Sequence, residues 1–190
     1  MKSALVKLYS IIQKRILKLG SIGAGSAIKF PFKIWNARKI HIGKNVFIAE
    51  NSFFSVVTEF KGQKYPSAEL VIQDGCCIGA NFHVSATDKV TIGSNVLISD
   101  RVFIGTGFHD YTDINTPIIQ QPMKNVGPVE IKEGAFIGIN AVILPNVVIG
   151  KNSFVAASAV VTESVPDYCI VGGIPAKILK RYNVNTQQWE

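Results

Sequence analysis

Three histidines, His41, His83 and His109, are the imidazoles of this 190-residue chain. An imidazole titrates near neutrality and can take a proton from a hydroxyl or an amine. His41 alternates with Ile40 and Ile42, so it is expected to point outward with no chemical role. His83 also falls at an outward position, as plain surface or as a substrate or interface contact. His109 stands apart, in Gly105-Thr106-Gly107-Phe108-His109-Asp110-Tyr111 at the start of a long irregular stretch, about 106–127. Long loops on rigid scaffolds are common seats of function, which makes His109 a candidate base. The plainer alternative is a loop histidine bonding its own turn, with Asp110 beside it as a cap.

The cysteines offer less. Cys76 and Cys77 are adjacent and poorly placed to bridge each other, which leaves Cys169 without an obvious partner. Reduced thiols in a cytoplasmic protein are the expectation. There is no CxxC or Cys/His cluster, and the histidines lie 42 and 26 residues apart, so no metal site is expected.

Charge narrows the partners. Twenty Lys and Arg against 13 Asp and Glu give +7, which favours a nucleic acid, a phosphorylated cofactor or a membrane surface. The basic residues concentrate at the two ends with no aromatic platform between them, which argues against nucleic acid. With 47% hydrophobic and 17% charged residues, wholesale disorder is excluded. No apolar run reaches the roughly 18 residues of a spanning helix, and no small-residue cleavage site follows the N-terminal segment.

The elements that must position these groups follow from a period of six. Large apolar residues recur at Ile22, Ile28, Ile34; Ile42, Ile48, Phe54; Ile72, Ile78, Val84; Ile92, Ile98, Ile104; and Ile131, Ile137, Ile143, Ile149, Val155, Val161. A small or β-branched residue follows four places later, as at Val46, Ser52, Cys76, Val96, Val102, Ala135, Ala141, Val147, Ser153 and Ala159. Neither a helix of period 3.6 nor a flat strand of period two keeps both columns on one side. A coil of three short strands does, with every sixth side chain inside a triangular prism. Spacing departs from six only after Ile34, Phe54, Val84 and Ile104, always the third side of a turn. Every insertion therefore leaves from one corner. The 18 residues from Phe54 to Ile72 could hold a further coil, but the polar Lys61-Gly62-Gln63-Lys64-Tyr65-Pro66 favours a loop.

The expected organisation is an N-terminal amphipathic helix over 1–21, a repeat domain over 22–166 with loops at about 58–69 and 106–127, and a C-terminal segment over 167–190. In the first segment Leu5, Leu8, Ile12, Ile16 and Leu19 alternate with Lys2, Lys7, Lys14, Arg15 and Lys18. That pattern suits a cap over the first coil, or peripheral membrane contact through residues 1–20. The expected location is cytoplasmic, with the inner face of the membrane as the second option.

The hexads resemble the hexapeptide-repeat acyltransferases over about residues 22–182. That resemblance implies an all-β fold, a left-handed parallel β-helix of about six triangular coils. It also implies a homotrimer with active sites between neighbouring prisms. His109 through Tyr111 to Asp113, then Thr116-Pro117-Ile118, looks like the active-site loop of sugar and polysaccharide O-acetyltransferases. The resemblance makes His109 the general base, and the backbone N–H of Ile139 in Phe136-Ile137-Gly138-Ile139-Asn140 the oxyanion donor. Val155-Ala156-Ala157-Ser158-Ala159, Val161-Thr162 and Gly173-Ile174-Pro175-Ala176-Lys177 are similar to the coenzyme side of the family. Acetyl-CoA contacts are thereby expected at Ala157, Thr162, Lys177 and Lys180. Relatives often carry a lysine where this chain has Glu163. Weaker acceptor contacts are expected at His83, Asp110 and Tyr111, with a sugar or glycan precursor as acceptor. An aminosugar N-acetyltransferase or drug-modifying acetyltransferase is the alternative, and a non-enzymatic β-helix scaffold is the alternative from another class.

Overall fold

The computed structural model describes residue 13 and residues 16–190, a left-handed parallel β-helix of six triangular coils. The first face of the prism stacks Ser21–Ile22, Ile40–Ile42, Glu69–Ile72, Lys89–Ile92, Val129–Ile131 and Val148–Ile149. The second stacks Ala27–Ile28, Phe47–Ile48, Cys77–Ile78, Leu97–Ile98, Phe136–Ile137 and Phe154–Val155. The third stacks Phe32–Trp35, Ser52–Val56, His83–Ala86, Phe103–Gly105, Val142–Ile143 and Val160–Val161.

The register follows the hexads residue by residue. On the first face Ile22, Ile42, Ile72, Ile92, Ile131 and Ile149 lie over one another. The other two columns are equally unbroken, through Ile48, Ile78 and Ile98 on the second face and Phe54, Val84 and Ile104 on the third. Below the first coil these side chains are almost completely buried. Each contributes about 1.5–3 kcal/mol of burial, which is the main stabilising term of so thin a molecule. The ten small residues four places later are all buried too, lining the corners where a larger side chain would not fit.

The corners need a left-handed backbone. Asn45, Asn51, Asn81, Asn95, Asn140, Asn146 and Asn152 all have φ between 49° and 62°. Asparagine tolerates this region because its short polar side chain bonds locally. Gly25, Gly75 and Gly134 take the same conformation, and a Cβ at any of them would strike the carboxamide of the asparagine in the next coil.

Both ends of the stack are closed. Gln13 and the described residues Ile16 and Leu17 are helical. The Gln13 side chain donates to the Ile28 carbonyl at 2.6 Å and accepts from the Ile28 N–H at 3.0 Å, as a neighbouring strand would. The remainder of the proposed amphipathic helix lies outside the described residues, and membrane contact through residues 1–20 with it. At the other end Cys169–Gly173 adds a parallel strand to the second face, and Ala176–Asn183 folds back antiparallel over it. Among the described residues no helix is long and apolar enough to cross a membrane.

All departures from the repeat occupy the corner between the third and first faces. They are a short 3-10 turn at Ala37–Lys39, a hairpin of Glu59–Phe60 with Gln63–Lys64, a two-residue link at 87–88, and the long excursion from 106 to 128. No further coil lies between Phe54 and Ile72, because Ser52–Val56 and Glu69–Ile72 already belong to consecutive coils. On the outside of the third face the rings of Trp35, Phe53, His83 and Phe103 form a ladder, with His83 stacked on Phe53 at 4.8 Å.

Replacing fully buried Ile137 with Ala should cost about 2–5 kcal/mol in urea unfolding, while Ile114→Ala on the exposed excursion should stay within about 0.5 kcal/mol. Burial in the ladder holds the His83 imidazole below its ordinary pKa. The unfolded chain therefore binds this proton first, so His83 makes stability fall as pH drops through the ordinary histidine range. His83→Phe, which keeps a ring in the ladder, should flatten the slope of melting temperature between pH 7 and 5.

Candidate functional site

The two long departures at the common corner fold onto each other, and His109 lies where they meet. Gly107–His109 pairs antiparallel with Met123–Asn125, which sets His109 opposite Met123. The root of this hairpin is anchored by buried Thr106, whose Oγ1 accepts the N–H groups of Thr87 at 2.8 Å and Asp88 at 2.9 Å. Asn125 donates to Asp88 at 2.9 Å. Burial would raise the Asp88 carboxyl, but hydrogen bonds from Asn125, the Lys89 N–H and Ser67 outweigh it and hold the group ionised below its usual range.

The shorter hairpin supplies the other wall. The Phe60 ring meets the His109 ring edge-on, 5.6 Å between centroids. Tyr65, 2% exposed, donates its hydroxyl to the Met123 carbonyl at 2.6 Å and accepts the Met123 N–H at 2.9 Å. Burial raises the phenol above its usual pKa, which keeps it a neutral donor. The imidazole itself is solvent-accessible. Its neighbours Asp110 and Tyr111 do not bond to it. Asp110 caps its own turn through the Thr112 N–H at 3.0 Å and hydroxyl at 2.9 Å, and these bonds hold its carboxyl below the usual range. Tyr111 is exposed and stacks on Phe108. His83 lies on the outside of the third face, and His41 is held between Ser21 and Glu69 on the first.

Ile139 occupies a different corner, between the second and third faces. Two residues past an inward aliphatic, the N–H groups of Lys44, Ala80 and Lys151 are held by carboxylates of the next coil, Asp74, Asp100 and Asp167, at 2.7–2.8 Å. The register places Ala157 over Ile139. A methyl group accepts nothing, and among the described residues the Ile139 N–H meets no acceptor. Its carbonyl is occupied by the Ser158 N–H at 2.8 Å. Within one chain, therefore, the open amide and His109 are on two different edges of the prism.

At the C-terminal end a cleft of 350 Å³ is lined by Val161, Glu163, Ser164, Val165, Val171, Ala176, Lys177 and Ile178. The Lys177 ammonium is 3.9 Å from Glu163, and both side chains are largely exposed, so the pair is weak. Thr162 lies in the chain between two lining residues, Val161 and Glu163, whereas Lys180 pairs with Ile170 further along the hairpin. Ala157 sits on the Ile139 corner. Among the described residues there is no group of three or more His, Cys, Asp and Glu side chains that could hold a metal ion. Sequence reasoning did not find Phe60, Tyr65 or the Thr106 anchor. Their partners lie up to 58 residues away, and no local pattern signals them.

Comparison with known proteins agrees with this architecture. Residues 128–163 match the bacterial transferase hexapeptide family (six repeats). WbbJ of Escherichia coli (strain K12), named for an O-acetyl transferase role in lipopolysaccharide biosynthesis, is 30% identical over 169 residues, which cover 86% of this chain and 82% of WbbJ. Galactoside O-acetyltransferase of the same strain is 33% identical over 110 residues, 55% of this chain and about half (51%) of that enzyme's length. Among solved structures, AntD, an N-acyltransferase from Bacillus cereus, superposes with TM-score 0.77 at 24% identity, over 94% of this chain and 91% of AntD, a likeness of fold. The hexapeptide-repeat acetyltransferase VCA0836 of Vibrio cholerae O1 biovar eltor, complexed with acetyl-CoA, gives 0.54 at 26% identity, over 96% of this chain and 86% of that one. With its repeat, its register and a relative matched along most of both chains, this protein belongs to the hexapeptide-repeat acyltransferases.

Proposed function

We propose that the protein transfers the acetyl group of acetyl-CoA to a hydroxyl of a sugar or polysaccharide precursor. The observation that carries this reading is His109, an accessible imidazole held by two interlocked loops at the corner of a rigid prism. The likeness to WbbJ along most of both chains supports the O-acetyl acceptor class, and the acetyl-CoA complex of VCA0836 supports the donor.

In this mechanism the acceptor hydroxyl attacks the thioester carbon while His109 removes its proton. The new C–O bond leaves an oxyanion, which the open N–H of Ile139 stabilises. Collapse breaks the C–S bond, and the imidazolium returns its proton to the departing thiolate. No acyl-enzyme intermediate is needed. Because His109 and Ile139 sit on different corners, a complete site takes one from each of two chains, and the homotrimer of the family supplies that arrangement. Lys177 and Lys180 would meet the coenzyme phosphates, Thr162 the approach to the cleft, and the small side chain of Ala157 the narrow pantetheine arm. His83, Asp110 and Tyr111 are assigned to the acceptor side, where Tyr111 offers an exposed ring.

N-acetylation of an aminosugar is the second reading, in view of the N-acyltransferase AntD, one of whose structures holds dTDP-4-amino-4,6-dideoxyglucose. Incubation with acetyl-CoA and a panel of sugars and aminosugars, read by mass spectrometry before and after mild base, separates the two. An ester is lost in base and an amide persists.

His109→Ala should leave stability within about 1 kcal/mol, because the side chain is exposed. Acetyl transfer should nevertheless fall roughly 10²–10⁴-fold, mainly in kcat, and the mutant should lack the acid limb of the wild-type pH–rate profile. A folded variant with near wild-type turnover excludes the mechanism. Replacing Lys177 and Lys180 together with Ala should raise KM for acetyl-CoA more than it lowers kcat, and should weaken the salt dependence of binding. An unchanged KM at low salt would assign both lysines to a solvated surface.

A further inference from the structure

We propose that Tyr65 is a positioning residue for His109, acting through the backbone of Met123. This inference rests on the reading of His109 as the general base. Tyr65 belongs to the shorter loop, where its own N–H closes the hairpin by donating to the Thr58 carbonyl at 2.8 Å. Its hydroxyl reaches 58 residues along the chain and satisfies both backbone groups of Met123, the carbonyl at 2.6 Å and the N–H at 2.9 Å. Met123 is the residue paired with His109 across the long hairpin.

A two-stranded hairpin extending from a sheet is only marginally stable by itself. The base of this one is fixed by Thr106 and by the bond between Asp88 and Asn125, but both contacts lie at the root. At the level of the imidazole the strand opposite His109 is held by the Asp110 N–H donating to the Pro122 carbonyl at 2.9 Å, by Met123 packing on the core, and from the other loop by the Tyr65 hydroxyl. That hydroxyl ties the strand to the loop carrying Phe60, whose ring meets His109 edge-on. A buried hydroxyl with both its donor and its acceptor role used by one residue fixes distance and direction together. The backbone bonds from Asp110 to Pro122 and from Val126 to Thr106 set the register of the two strands, and the Tyr65 hydroxyl sets where that hairpin lies against the shorter loop. General-base catalysis is sensitive to such placement, because a shift of about 1 Å can cost up to 10²-fold in rate.

The test is Tyr65→Phe, which keeps the ring and removes both bonds, in the full-length protein beside wild type and His109→Ala. Diethyl pyrocarbonate serves as a probe of each histidine, with modification rates read by peptide mass spectrometry. Tyr65→Phe should change the rate at His109 several-fold and leave the rate at His41 unaltered. With acetyl-CoA and a mixture of methyl hexopyranosides, kcat should fall about tenfold while KM for acetyl-CoA stays within twofold. An unchanged His109 reactivity, or an unchanged kcat when His109→Ala is inactive, overturns the proposal for Tyr65 and leaves the general base standing. Wild-type turnover in His109→Ala overturns the base assignment instead. If Tyr65→Phe does not fold, hydrogen exchange at the Met123 amide of wild type decides. Exchange as slow as that of the coil strands supports the bond, and exchange as fast as that of the exposed excursion overturns it.

Discussion

The stacking of one aliphatic side chain on the next, three columns wide and six coils deep, is the interaction on which the rest of the molecule depends. The prism has no second layer to pack against. Nearly all of its apolar burial comes from side chains in its own axis, such as Ile48, Ile78, Ile98 and Ile137 in one column. Each coil is held only by its neighbours, so a coil with a missing or displaced hexad would break the column for the coils on both sides. The repeat is therefore strict wherever the backbone is inside the stack. Variation is confined to places where the chain can leave and return without moving a rung.

That constraint explains the location of the candidate site. The chain leaves the stack only between the third and first faces, at each departure from the six-residue spacing. Successive departures must then lie beside one another along one edge. The hairpin of Glu59–Phe60 with Gln63–Lys64 and the excursion from 106 to 128 leave two coils apart on that edge, and the departure between them is only the two-residue link at 87–88, so nothing bulky separates them although many residues do in sequence. Phe60 against His109 and Tyr65 against Met123 are consequences of that adjacency.

The same regularity shapes the polar groups. Corner amides recur in every coil, and an aspartate one rung away closes several of them, as Asp100 does for Ala80. Where the next rung carries Ala157, the amide of Ile139 remains open. The Ile139 amide shares this with other corner amides, such as those of Glu50, Ser94 and Glu133, for which the next coil also supplies no carboxylate acceptor. The Ile139 amide and His109 stand on different edges, so the chemistry proposed for them would need two prisms side by side. The weak pair of Lys177 and Glu163 leaves the lysine free to exchange its partner for a stronger anion.

The sequence by itself determined the prism, its three columns, its register and the corner of every insertion. Burial in this fold has one period, and each inward residue from Ile22 to Val161 carries that period in its own type. The alternation around His41 and His83 placed both outside the core for the same reason. What surrounds the outward residues was decided only in three dimensions. His41 lies between Ser21 and Glu69, and His83 between Phe53 and Phe103, because parallel coils bring residues about twenty to thirty positions apart side by side. The loops carried still less information. Lys61 to Pro66 reads as polar punctuation, yet Tyr65 within it is buried and grips a strand 58 residues away. Hydrogen bonds between two irregular segments have no period, so no spacing in the chain announces them, and only the folded corner brings the partners together.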